Sequence, residues 1–113
     1  MKRKQATALS QELTQQLSNL GARLARLRIA RQVRQEDAAI RAGISRSTAT
    51  LIEKGAASVA IGQVIRYLDA IAPGKTLERF LMEEDPAVIS LSASERRRRA
   101  RTLSEAELKE LEF

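Results

Sequence analysis

The chain has 113 residues, with no Cys and no His, 20 basic and 14 acidic side chains, and a net charge of +6. That length fits one domain with short extensions. The missing residue types exclude disulfides, zinc sites built from Cys and His, and Ser-His or Cys-His catalysis. No apolar run reaches the roughly 18 residues of a membrane span. The basic start Met1-Lys2-Arg3-Lys4-Gln5 is followed by no hydrophobic core of a leader, so a cytoplasmic chain without signal peptide is expected. The basic excess points to a polyanionic partner, since Lys and Arg release counterions from phosphates. The blander reading, an ordinary basic surface, has equal standing on charge alone.

Ala, Leu, Arg, Glu and Gln dominate, which predicts an all-α fold. Leu9, Leu13, Leu17, Leu20, Leu24 and Leu27 recur at steps of 3 or 4, one helical stripe. Ser18-Asn19 reads as a cap within it, predicting a short helix near 8–17 and a second near 19–31. A helix from Gln35 to Ala42 is ended by Gly43. Ser45 caps the next, which runs to Glu53 and is closed by Gly55. Ser58 is expected to open a helix with Ile61, Val64, Ile65, Leu68 and Ile71 on its apolar face, stopped by Pro73-Gly74. Thr76 caps a last short core helix containing Leu77, Phe80 and Leu81.

The acidic run Glu83-Glu84-Asp85 reads as a solvated link, and Asp85-Pro86 as the domain edge. Beyond it, Ser92 with Glu95 and Ser104 with Glu107 form two capping boxes, the second with Leu103 against Leu108, so two short helices are expected. The expected organisation is an N-terminal extension over 1–18, a domain over 19–84 and a charged tail over 85–113.

The informative stretch is Gln35 to Glu53, QEDAAIRAGISRSTATLIE. A short helix, a glycine, a cap and a second short helix describe a helix-turn-helix. Ala38 and Ala39 allow close approach, and Gly43 suits a turn that needs positive φ. Ala49 and Ile52 anchor the second helix, leaving Arg46, Ser47, Thr50 and Leu51 facing outwards.

The longer segment LGARLARLRIARQVRQEDAAIRAGISRSTATLIEKG resembles the Cro/CI-type (XRE) family of phage and bacterial repressors, over about residues 20–82. It has the Leu-Arg pair of helix 1, the Gln opening helix 2, Ala-Gly-Ile-Ser at the turn and Ile-Glu-x-Gly closing helix 3. The resemblance implies a five-helix, lambda-repressor-type domain, here with short helical N- and C-terminal extensions. It implies phosphate contacts from Gln35 and Ser45 and base reading by Arg46 and Ser47, with Thr50 and Leu51 further along the same face. Lys54 and Ser58 fall in the part that lies along the DNA backbone, and Arg28 and Glu53 match a family ion pair. The departures are Arg34 where a Ser or Thr cap is usual, Gln32 for a usual Gly, and Leu51 where a hydrogen-bonding side chain is common. Leu51 is left to contact a thymine methyl or to hold a protein.

Two functions follow as expectations. One is a sequence-specific transcriptional repressor, homodimeric on a near-palindromic operator in double-stranded DNA. The other is an antitoxin that binds a toxin protein and represses its own operon; the general layout and arginine-rich tail resemble HipB-type partners of HipA-like kinases. The arginines between 96 and 101 read as a DNA arm, a handle for an acidic toxin surface, or a solvated face. No P-loop or dinucleotide fingerprint appears. No enzyme activity, cofactor, metal or membrane partner is expected.

Overall fold

The computed structural model describes residues 9–82 and 84–111, with side chains through Leu103. The basic residues Lys2, Arg3 and Lys4, the acid Glu83, and the Ser104–Glu107 and Leu103–Leu108 side-chain pairings lie outside the described residues. Those described form six helices and no strand: α1 (Gln11–Ala30), α2 (Gln35–Ala42), α3 (Arg46–Lys54), α4 (Ile61–Ile71), α5 (Leu77–Met82) and α6 (Pro86–Leu111). The fold is all-α, as composition predicts. None of these helices is long and apolar enough to cross a membrane.

The stripe of leucines forms one helix rather than two. Ser10, not Ser18, is its cap, its Oγ accepting from the Leu13 amide at 3.2 Å. Ser18 and Asn19 sit exposed in mid-helix, and Asn19 Oδ1 accepts from Gln15 Nε2 one turn earlier. Leu24 and Leu27 from this helix are buried with Ala38, Ala39, Ala42, Ala49, Ile52, Tyr67, Leu68 and Ile71 in a single core. Small residues on α2 let it pack closely between α3 and α4, so apolar burial is shared among short helices that would not be stable alone.

Three further expectations are corrected. Ser58 does not open α4; the helix starts at Ile61 after Ala60, which supplies no side-chain cap. Its apolar face is wider than the core covers, so Leu68 and Ile71 are buried while Ile61 stays 68% exposed and Ile65 is also exposed. The tail is one continuous helix, not two. Ser92 is spanned by α6 and accepts instead from Arg26 Nη2 at 3.2 Å, beside the Arg26–Glu95 ion pair.

The acidic link is also not fully solvated. Asp85 is 5% exposed. One carboxylate oxygen accepts from Arg31 at 2.7 Å and from Lys75 at 2.6 Å, and the other accepts from the Ala87 amide at 2.9 Å. Asp85 therefore caps α6, whose first residue Pro86 needs no amide partner. Val88 packs on the core one turn later.

Burial would raise the Asp85 pKa, but the Arg31, Lys75 and Ala87 donors outweigh it and hold the carboxyl well below the usual carboxylate range. A depressed folded-state pKa stabilises the protein above the unfolded value near 4, and the contribution is lost as pH falls through the folded one. Asp85→Asn is accordingly expected to destabilise the domain by about 1–3 kcal/mol at neutral pH. Thermal melts from about pH 7 to about pH 2 should show the gap between variant and wild type closing on the acid side. A gap independent of pH would show that the ion pairs contribute nothing.

Candidate nucleic-acid interface

The turn between α2 and α3 is shaped by two local signals. Gly43 ends α2 with φ +68°, a left-handed position that costs a side chain about 1–2 kcal/mol. Ser45 then starts α3, its Oγ accepting from the Thr48 amide at 3.0 Å while lying 2.9 Å from the Thr48 hydroxyl. Gly55 ends α3 at φ +75°. Ala49 and Ile52 turn inwards and are buried. The opposite face of α3 is therefore open to solvent.

Of the residues singled out in the sequence, Ser45, Arg46, Ser47, Leu51 and Lys54 are exposed along this face, and Leu51 is 42% exposed. Arg46 is the first residue of α3, where the free amide groups and helix dipole favour an anion. Gln35 and Thr50 are half-buried and close to each other. The Thr50 hydroxyl lies 3.1 Å from the Arg46 carbonyl and 3.4 Å from Gln35 Oε1, so it stitches the two helices as well as facing outwards. Ser58 is exposed in the loop between α3 and α4.

Arg34 supplies no cap to α2; its guanidinium instead pairs with Asp37 at 3.0 Å. Gln32 adopts φ +58°, a conformation glycine adopts without strain. Both departures are thus accommodated locally, at the edge of the helix-turn-helix.

A polar network holds α3 from behind. Arg28 on α1 donates to Glu53 through Nε at 2.7 Å and Nη2 at 3.1 Å, and its Nη1 donates to the Val33 carbonyl at 3.0 Å. The two side chains are only 16% and 10% exposed. The bond to Glu53 raises the Arg28 pKa. Tyr67 on α4 donates its hydroxyl to Glu53 as well, and burial followed by that bond pushes the phenol up beyond its ordinary value. Glu53 thus links α1, α3 and α4.

Sequence reasoning missed Tyr67, whose partner is 14 residues away and announced by no local motif. It also missed Arg66. That guanidinium lies over the turn, 2.5 Å from where a Cβ on Gly43 would stand.

A family model described as a helix-turn-helix domain matches residues 19–79, more than half of the chain. No curated protein and no solved structure matches the chain.

Proposed function

The chain belongs to the helix-turn-helix domain family, and from that premise we propose that it is a sequence-specific transcriptional repressor of the Cro/CI type, acting as a homodimer on a near-palindromic operator. The observation that carries this reading is the outward face of α3. Arg46 and Ser47 stand exposed at its N-terminal end, with Leu51 and Lys54 further along. An α-helix fits the major groove, where Arg recognises guanine O6 and N7 with two hydrogen bonds and an aliphatic side chain recognises the thymine methyl. Ser45, Gln35, Lys54 and Ser58 surround that face as phosphate contacts, which position the helix without reading sequence.

One such unit reads only a few base pairs, so useful specificity calls for two copies with half-sites about 34 Å apart. Of Ile71, Leu77, Phe80 and Leu81, the apolar residues of the last core helices that the sequence offers for a two-fold contact, Ile71 and Phe80 are buried at 2% and 3% exposure and belong to the core. Leu77 and Leu81 belong to the accessible apolar surface. An open cavity of about 360 Å³ is lined by Leu17, Leu20, Val59, Ile61, Val64 and Leu77 among others, and a neighbouring one adds Leu13 and Leu81. Among the described residues no charged side chain lines either cavity, so a second copy of this basic chain meets no like charge from them. The patch includes Ala56 and Ala57, immediately after α3, so it adjoins the end of the recognition helix.

Sedimentation tests the assembly. The wild type is expected to be a dimer at micromolar concentration. Ile61→Glu, at an exposed first position of α4 where an acid favours the helix, should give a monomer with unchanged helicity and at least about tenfold weaker operator binding. A wild-type monomer both free and on DNA would overturn the dimeric repressor and favour the antitoxin reading.

A further inference from the structure

The repressor reading leaves the middle of α6 without a role. Arg96, Arg97, Arg98, Arg99 and Arg101 lie on it, all exposed, and from Arg96 to Ser104 the sequence has no acid. The nearest acid upstream, Glu95, is already held by Arg26. Among the described residues none of the five arginines has an ion-pair partner. Successive residues on an α-helix are about 100° apart, so five arginines in six positions surround the helix. Such like-charged neighbours destabilise an isolated helix. Among the described residues the one acid close to them is Glu95, whose carboxyl is held down chiefly by Arg26 and to a lesser degree by Arg98 and Arg99.

We propose that this arginine segment of α6 is a second contact for double-stranded DNA, docking as a helix against the phosphate backbone. The proposal rests on the DNA-binding reading of α3 and adds a separate surface to it. Charge all round the helix suits a duplex groove, which has phosphates along both walls and a major-groove width close to a helix diameter. A docking site for a folded protein would show an apolar centre with a polar rim. Between Arg96 and Thr102 the only apolar residue is Ala100. The distribution favours nucleic acid over an acidic protein surface.

Each phosphate neutralised contributes about −0.9 to the slope of log K against log salt. A variant of the full chain with Arg96, Arg97, Arg98, Arg99 and Arg101 all changed to Gln keeps good helix formers and touches no core residue. Its binding to a random-sequence 40-base-pair DNA probe, by fluorescence anisotropy across a salt series, is compared with that of the wild type. With three to five arginines on phosphates, the slope should become shallower by about 3–4.5. Near physiological salt, charges more than about 8 Å from the DNA are largely screened, so the slope counts contacts. Helicity and melting temperature should be retained.

An unchanged slope overturns the proposal and leaves the arginines for an acidic protein. Arg46→Ala, measured on a selected and on a scrambled duplex, separates the two readings. If α3 reads sequence and the arginines do not contact DNA, only Arg46→Ala changes sequence preference and the slope stays. If the α3 reading fails and the arginines do contact DNA, Arg46→Ala is silent and only the slope falls.

Discussion

Alanine in place of Glu53 is expected to destabilise the domain by about 3–5 kcal/mol, because it leaves Arg28 largely buried with no carboxylate and Tyr67 without its acceptor. Arg28→Ala should cost a similar amount, leaving Glu53 with the phenol alone. Replacing both with aliphatic residues of similar volume should cost much less, since no stranded charge remains. A double-mutant cycle in denaturant is therefore expected to give a coupling well above the roughly 1 kcal/mol of a surface pair. Additive losses would show that the groups act independently. The consequence for function is orientation: Glu53 is the penultimate residue of α3, so the same variants should loosen the helix whose face is proposed to meet DNA.

Gly55→Ala is expected to cost about 2–5 kcal/mol, combining left-handed strain with overpacking. Gly55 has φ +75°, and a Cβ there would stand 2.1 Å from the Leu17 carbonyl oxygen. Gly21 is the reciprocal contact. Its Cβ would stand 2.6 Å from the carbonyls of Ile52 and Glu53 and from the Gly55 amide. Backbone thus meets backbone where α1 crosses the end of α3, and neither side has a flexible atom to yield. Gly21→Ala should cost about 1–3 kcal/mol on packing alone. Gly62 provides the contrast, with nothing within 4 Å of its Cβ position, so Gly62→Ala in α4 should stabilise by up to about 1 kcal/mol. Thermal melts of the three variants check the ordering. A harmless Gly55→Ala would mean that the two helices are not in the contact described.

These contacts separate what the sequence made legible from what it hid. The turn between α2 and α3 was readable because its determinants are local: Gly43 and Ser45 act within one turn of their own positions. The open face of α3 followed from the same periodicity that buried Ala49 and Ile52. Helix continuity was not readable. Ser18-Asn19 and Ser92 carry the chemistry of caps, yet a polar residue caps only where the chain turns, and in α1 and α6 it runs straight on. Asp85 was hidden for another reason. Its partners Arg31 and Lys75 are 54 and 10 residues away, so an acid in an acidic run looked solvated until the fold brought two cations to it. Gly21 gave no signal either, because a glycine inside a helix marks a close approach only when the approaching backbone is known. In the sequence Ile71 and Phe80 count with Leu77 and Leu81 as candidates for a two-fold contact, because the apolar pattern alone does not say how far the core extends.

The central claim is that the exposed N-terminal end of α3 reads DNA sequence through Arg46. It is tested most directly by selecting a preferred duplex from a random pool and measuring wild-type and Arg46→Ala affinity for that duplex and for a scrambled one. The wild type should prefer the selected duplex. Arg46→Ala should lose about 1–3 kcal/mol on it and relax the preference at one base position per half-site, with little change on the scrambled duplex. Equal losses on both duplexes, or a wild type without preference, would contradict base reading by Arg46 and with it the sequence-specific repressor.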